Sequence, residues 1–172
     1  MAFRYVGKSL KRTDGYAKVT GMAQYVADVK LPRMLHAQVL RPQYAHAHIK
    51  SIETSEAEKS EGVFRVVTGR NCDVFFGACG FLDQNPLAVD KVRHAGEPVA
   101  VVIADTVSHA KQAVSKIKAE YEPLPVLLDP IEAAKNRHVL IHEKLDEYRH
   151  LPSYFPESGT NIFHHYRLRK GD

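Results

Sequence analysis

The 172 residues predict an α/β (α+β) domain with a mixed sheet and two strand–helix–strand units, preceded by an extended arm. Three observations carry this. Val99–Ala104 contains only Val, Ala and Ile without polar alternation, which predicts a central strand buried on both faces. Behind it, Val107, Ala110, Val114 and Ile117 recur at helical spacing, and Ala119 and Tyr121 then alternate with Glu120 and Glu122 until Pro123 and Pro125 stop the strand. The same order of elements occurs once earlier, over residues 45–68.

In chain order, residues 1–33 show no sustained period, and Gly7, Gly15 and Gly21 interrupt every possible helix, so they read as an extended arm. Val6, Tyr16, Val19, Tyr25 and Val26 are too many apolar groups for a disordered tail, which predicts that residues 3–30 lie across a surface. The domain itself is placed at 34–136. From Met34 the pattern alternates, with Leu35, Ala37 and Val39 on one face, and a second strand runs from about Ala45 to Glu53, joined by the turn "RPQYAHA". Ser55 and Glu58 have the S-x-x-E spacing of a capping box, and Gly62 suits a helix end, so a short helix leads into strand 63–68. Residues 69–91 carry three Gly and no period, and predict a long functional or interface-bearing loop.

Gly96, Glu97 and Pro98 precede the apolar strand. Gly96 permits a turn, Pro98 fits a first strand position and Glu97 reads as a solvent-side loop charge, with an interface role as the alternative. Asp105 is the predicted N-cap of the following helix. "DPIEAA" starts another, with Asp129 as cap, Pro130 at the first position and Glu132 at the third. Residues 137–172 lack a core pattern and read as a linker.

Composition narrows the function classes. The formal charge is +4, with the cations distributed along the chain, which argues against a dedicated nucleic-acid surface. Cys72 and Cys79 form neither a C-x-x-C pair nor a four-thiolate cluster site, and read as reduced thiols. "MAFRYVGKSLKRTD" has no apolar signal region, and no run approaches the ~20 residues of a membrane span, so the expected compartment is the cytoplasm. His46 and His48 share a strand face but supply at most half a metal site. "HHYRLRK" (164–170) is a single aromatic and basic run that reads as a solvated strand. "GACG" lacks the phosphate-loop pattern, and no nucleophile elbow is present.

The ordered set "KVTGMAQYVAD" (18–28), "LHAQVLR" (35–41), "AHAHI" (45–49), "GEPVAVV" (96–102) and "YEPLP" (121–125) resembles the start of the molybdenum-binding large subunit of the xanthine dehydrogenase and aldehyde oxidase family, the α/β hammerhead domain. Pro42-Gln43 stands where the family usually has Ser-Pro, and His48 where it often has Arg. The resemblance implies an oxidoreductase that hydroxylates a purine, aldehyde or N-heterocycle with water-derived oxygen. It implies a molybdopterin-type molybdenum cofactor, iron–sulfur clusters and FAD in the complete enzyme, none of them held by this segment. The implied partners are the iron–sulfur and FAD subunits or domains and the rest of the molybdopterin-binding subunit, toward which 137–172 would lead; neither nucleic acid nor membrane is among them. No catalytic, cofactor-binding or metal residue carries over, and the isolated chain is expected to be inactive. Lys18, Thr20, Gly21, Tyr25, Asp28, Gly96 and Glu97 are the candidate interface residues. The alternative is a free-standing interaction module that keeps this fold without chemistry.

Overall fold

The computed structural model describes residues 3–72, 74–77 and 80–171. The chain divides into two compact units, Met1–Met34 and Leu35–Asp172.

The first unit contains helix α1 (Gly15–Val19) and a 3-10 turn, Val26–Asp28. The helix corrects the expectation that the glycines forbid one. Gly15 occupies the first helical position, and the Asp14 carboxylate before it accepts from Arg12 Nε at 3.0 Å and pairs with Lys18 Nζ at 2.6 Å, bracketing the single turn. Those two cations hold the Asp14 carboxyl below its usual range. Gly21, at φ +73°, takes the chain out of the helix. None of the described residues in this unit is buried.

The second unit is built from β1 (His36–Leu40), β2 (Ala47–Glu53), α2 (Ser55–Glu58), β3 (Val63–Thr68), β4 (Lys91–Val92), β5 (Ala100–Ala104), α3 (Val107–Val114), β6 (Lys118–Pro123) and α4 (Pro130–Lys135). Both strand–helix–strand units are present. They do not lie in one mixed sheet, however: the strands form two antiparallel three-stranded sheets, β1-β5-β3 and β4-β2-β6. Each unit crosses from one sheet to the other, so β2 and β3 never become neighbours, nor do β5 and β6. The connecting helices, of four and eight residues, thus bridge two sheets instead of closing a parallel pair.

β5 is central, as its composition predicts, but its two faces differ. Ala100, Val102 and Ala104 are fully buried, and Ala100 and Val102 pack with Ala57, Val66, Ala113 and Ile117 beneath the helices. Val101 and Ile103 on the other face are only half-buried. A second cluster sets Ile49 of β2 and Val92 of β4 against Ala88 and Val99, the residue before β5, and Leu40 and Ile52 pack against both clusters. In β1 the face with Leu35 and Ala37 is exposed, and it is Leu40 that joins the core.

Local corrections have local causes. Thr54, not Ser55, flanks α2 and donates its hydroxyl to Glu58 Oε1 at 2.7 Å, because the Ser55 N–H is already taken by Glu53 Oε1 at 2.9 Å. Thr106, not Asp105, caps α3 and accepts the His109 N–H at 3.1 Å, since the Asp105 carboxylate is engaged by His109 Nδ1 at 2.6 Å. Gly62 does adopt φ +72°, and a Cβ there would collide with the His109 and Asp105 side chains. Asp129 caps α4 as expected, accepting from Ile131 and Glu132 N–H at 2.7 and 2.9 Å.

Among the described residues after α4 no helix or strand occurs, yet the segment has buried members, Leu145 and Thr160. Asn161 anchors it, donating to the Ala133 and Val139 carbonyls at 3.1 and 2.9 Å and accepting the Ile141 N–H at 2.9 Å. Phe81 of the long loop, 4% exposed, sits among the rings of Tyr148, His150, Tyr154 and Phe163, and Leu82 N–H donates to Arg149 O at 2.9 Å. The loop of 69–91 ends in β4, whose Val92 is fully buried opposite Ala47.

Candidate functional site

The long loop and the C-terminal segment meet at a groove of about 940 Å³ lined by Phe75, Phe76, Arg93, Glu97, His142 and Tyr148, among others. The wall of the groove is a clasp made by two cations. Lys91 points inward from β4, 1% exposed, and donates to Leu140 O at 2.9 Å and to Glu143 Oε1 at 2.5 Å. Arg93 reaches Ile141 O with Nε and Lys91 O with Nη1, both at 3.1 Å. A buried lysine without partners would neutralise or unfold its surroundings; here a carbonyl and a carboxylate satisfy its charge.

Burial pushes the Lys91 ammonium below its ordinary pKa, although the Glu143 carboxylate opposes this. For Glu143 burial alone would raise the carboxyl, and the Lys91 hydrogen bond, its own backbone N–H and the Lys91 and Arg93 charges together outweigh it, leaving it lowered. His142 lies between these groups, with the Tyr148 hydroxyl 3.0 Å from Nδ1. Burial, with the Arg93 and Lys91 charges next in order, pushes it down to about 4, so it is neutral at pH 7. The polar groups of the wall are thus committed to holding 91–93 against 140–148, and the arrangement serves positioning more than proton transfer.

Gly96 and Glu97 stand at the rim. Gly96 adopts φ +76° and its carbonyl accepts from the Arg41 guanidinium. Glu97 is not a free solvent-side charge: it is half-buried, and Oε2 accepts the Arg93 N–H at 2.5 Å, which closes the turn leading through Pro98 into β5. The expected turn at Gly96 and strand start after Pro98 are present, while the carboxylate supplies one of the bonds that fix Arg93.

The other five candidate interface residues belong to the first unit. Lys18 pairs with Asp14, and the Thr20 hydroxyl donates to Tyr16 O at 2.7 Å at the end of α1. Gly21 supplies the positive φ, and the Asp28 carboxylate accepts the Tyr25 N–H at 3.0 Å. They hold their own turns together and leave the apolar side chains outward. The cations are also less evenly distributed than expected: residues 1–34 hold seven Lys and Arg against two Asp, and the remaining residues 17 against 18.

Among the described residues no three His, Cys, Asp or Glu side chains are arranged to hold a metal ion. His46 is buried, donating from Nδ1 to Pro125 O at 2.6 Å, with Nε2 left without a partner, while His48 lines the groove. Cys72 is a half-buried free thiol, and Cys79, with the middle of "GACG", lies outside the described residues. The run 164–170 has neither helix nor strand; His165 Nε2 lies 3.5 Å from Glu157 Oε1, and Tyr166 and Leu168 are exposed. No helix among the described residues is long and apolar enough to cross a membrane.

Sequence reasoning missed the clasp entirely. The available signal was a cation at a strand position followed by an apolar neighbour, in "DKVRH", which ordinarily marks an outward face.

The family described as "aldehyde oxidase and xanthine dehydrogenase, a/b hammerhead domain" matches residues 20–125. A probable xanthine dehydrogenase subunit of Bacillus subtilis is 40% identical over 134 residues, covering 77% of this chain and 18% of that protein. The gamma subunit of the 6-hydroxypseudooxynicotine dehydrogenase complex of Paenarthrobacter nicotinovorans is 34% identical, covering 94% of this chain and 23% of that one. A crystal structure of a Cu,Mo-CO dehydrogenase superposes with a TM-score of 0.66 at 39% identity, over 74% of this chain and 17% of that one. The chain therefore spans about a fifth of the length of the curated relatives it matches. Two small antiparallel sheets joined by short crossing helices, a match from residue 20 to residue 125, and relatives at this identity lead to one assignment: the chain belongs to the aldehyde oxidase and xanthine dehydrogenase family, as its α/β hammerhead domain.

Proposed function

We propose that this chain is the hammerhead part of the large subunit of a molybdenum hydroxylase. The complete enzyme inserts a water-derived oxygen into a C–H bond of a purine, aldehyde or N-heterocycle. Electrons pass from molybdopterin-bound molybdenum to iron–sulfur clusters and FAD on partner subunits or domains. The observation that carries this reading is the match over 20–125 to the family, together with relatives named as subunits of dehydrogenases. No step of turnover is assigned to residues of this chain. Residues 34–136 form the structural domain, 137–172 run toward the molybdopterin-binding part, and residues 3–30 dock on the iron–sulfur subunit or domain, with Lys18, Thr20, Gly21, Tyr25 and Asp28 shaping the arm. Gly96 and Glu97 form the rim that meets the rest of the large subunit. The complex belongs in the cytoplasm, in keeping with the free thiol at Cys72.

The test uses the complete product of the gene, purified with its partner subunits and offered a panel of purines, aldehydes and N-heterocycles in ¹⁸O-water. Molybdenum in the preparation and label in the hydroxylated product are expected. A preparation without molybdenum that oxidises none of them overturns the reading. The chain 1–172 alone is expected to bind no molybdenum and show no turnover.

A further inference from the structure

The first unit concentrates charge and apolar surface in the same residues. Its seven Lys and Arg against two Asp give a formal +5, while the other residues, 17 against 18, sum to −1, so the net charge of the chain resides in this unit. Asp14 is taken by Arg12 and Lys18, and Asp28 by the N–H of its own turn. Lys8, Lys11, Lys30 and Arg33 have no ion-pair partner among the described residues. Beside them Tyr16, Val19 and Val26 are 72%, 84% and 92% exposed. Exposed apolar side chains in such number mark a surface that another molecule covers.

We infer that the arm binds an acidic protein face, and that its four unpaired cations steer it there while Tyr16, Val19 and Val26 enter apolar pockets. This rests on the reading of the arm as a docking segment, and adds the chemistry of the partner. A second copy of the chain is a poor occupant, because two arms of +5 repel. A membrane surface is a poorer fit than a protein: interfacial binding uses an amphipathic helix of several turns, and the one helix described in this unit has five residues. Charges of one sign on the rim of an interface act mainly on the rate of association and its salt dependence.

Association of the complete large subunit with the separately purified iron–sulfur subunit tests this, followed by stopped-flow fluorescence. Raising NaCl from about 50 mM to about 500 mM is expected to slow association about tenfold or more. The variant Lys8→Glu/Lys11→Glu/Lys30→Glu/Arg33→Glu is expected to associate about 100-fold more slowly at low salt. Lys8→Arg/Lys11→Arg/Lys30→Arg is expected to keep the wild-type rate. An unchanged rate in the charge-reversed variant, with assembly lost on deleting residues 3–20, overturns the acidic partner and leaves docking intact. If that deletion leaves assembly intact, the docking reading itself falls. If the wild-type arm sediments with phosphatidylserine vesicles while assembly ignores the four reversals, the partner is a membrane and the inference is wrong.

Discussion

The sheet around β5 and the clasp around Lys91 lie in the same unit but are held by different physics. Around β5, alternate side chains of the strand, Ala57 of α2, Ala113 of α3 and Ile117 exclude water together, and no single contact is special. At the clasp, one lysine and one arginine hold a segment without regular structure by specific bonds to two of its carbonyls and one carboxylate. The first region is expected to fail when its apolar character is broken, and the second when its protonation or charge pairing is changed.

The largest effect should come from charge placed in β5. Val102→Asp puts a carboxylate into a fully buried position and should cost several kcal/mol, enough to unfold a domain of ordinary stability, about 5 to 15 kcal/mol. Val101→Asp, on the half-buried face, should lower the melting temperature without abolishing the transition. Circular dichroism melts of both settle the matter: if Val101→Asp is the more damaging, the assignment of the two faces is reversed.

Lys91→Ala comes next. It removes the cation that binds Leu140 O and Glu143, and leaves a cavity where the buried side chain stood. Glu143 is half-exposed and can turn to water, so the loss should be nearer about 2 kcal/mol than the roughly 3 to 5 of a wholly buried broken pair. Limited proteolysis should then cut within 137–163 while the strands of the β5 sheet stay protected. Lys91→Met, which keeps the volume, should recover part of the stability. Cleavage first in the β5 sheet would mean the two regions are not separable.

Which region is legible in the sequence follows from the same difference. Repeating burial leaves a pattern among neighbouring residues, so β2, β3, β5, α3 and β6 can be placed from it, and the Asp129 cap from the local motif "DPIEAA". The sheet assignment cannot: the length of a crossing helix does not say whether its strands become neighbours, and short helices here span two sheets. The clasp leaves no period, because Lys91, Arg93, Glu143 and Asn161 each act once, through partners about 50 or 20 residues away. Phe81 reads as a stray loop aromatic unless Tyr148, His150, Tyr154 and Phe163 are folded against it. Glycine misleads in the arm for a related reason, since the cost of Gly15 in a helix is offset by charges at 12, 14 and 18 that no propensity scale contains.

Acid should also separate the regions, through the one half-buried histidine of the clasp. His142 has a folded pKa of about 4 against an unfolded 6.5, so between these values the unfolded chain binds the extra proton. Stability from this group is therefore complete above about pH 6.5 and falls as pH drops toward 4, by at most about 3 kcal/mol and less where water reaches the ring. Glu143, lowered by Lys91, loses its share in the same direction at lower pH still. In His142→Phe the fall between pH 6.5 and 4 should be largely absent, as read from urea unfolding at each pH. An identical pH dependence in wild type and variant would show that the proton is taken up elsewhere.

The smallest effect should belong to Glu97, a candidate interface residue at the rim of the groove. Its Oε2 accepts the Arg93 N–H, and nothing else in the described structure requires a negative charge there. Glu97→Gln keeps an acceptor of the same reach and should change stability by no more than a surface substitution does, within about 0.5 kcal/mol. Glu97→Ala leaves that N–H to find water and should cost about 1 kcal/mol, with Arg93 less firmly held against Ile141. The ordering, read from melting temperatures, matters more than either value. If Glu97→Gln is as costly as Glu97→Ala, the negative charge itself, and not only the acceptor, is what the turn uses.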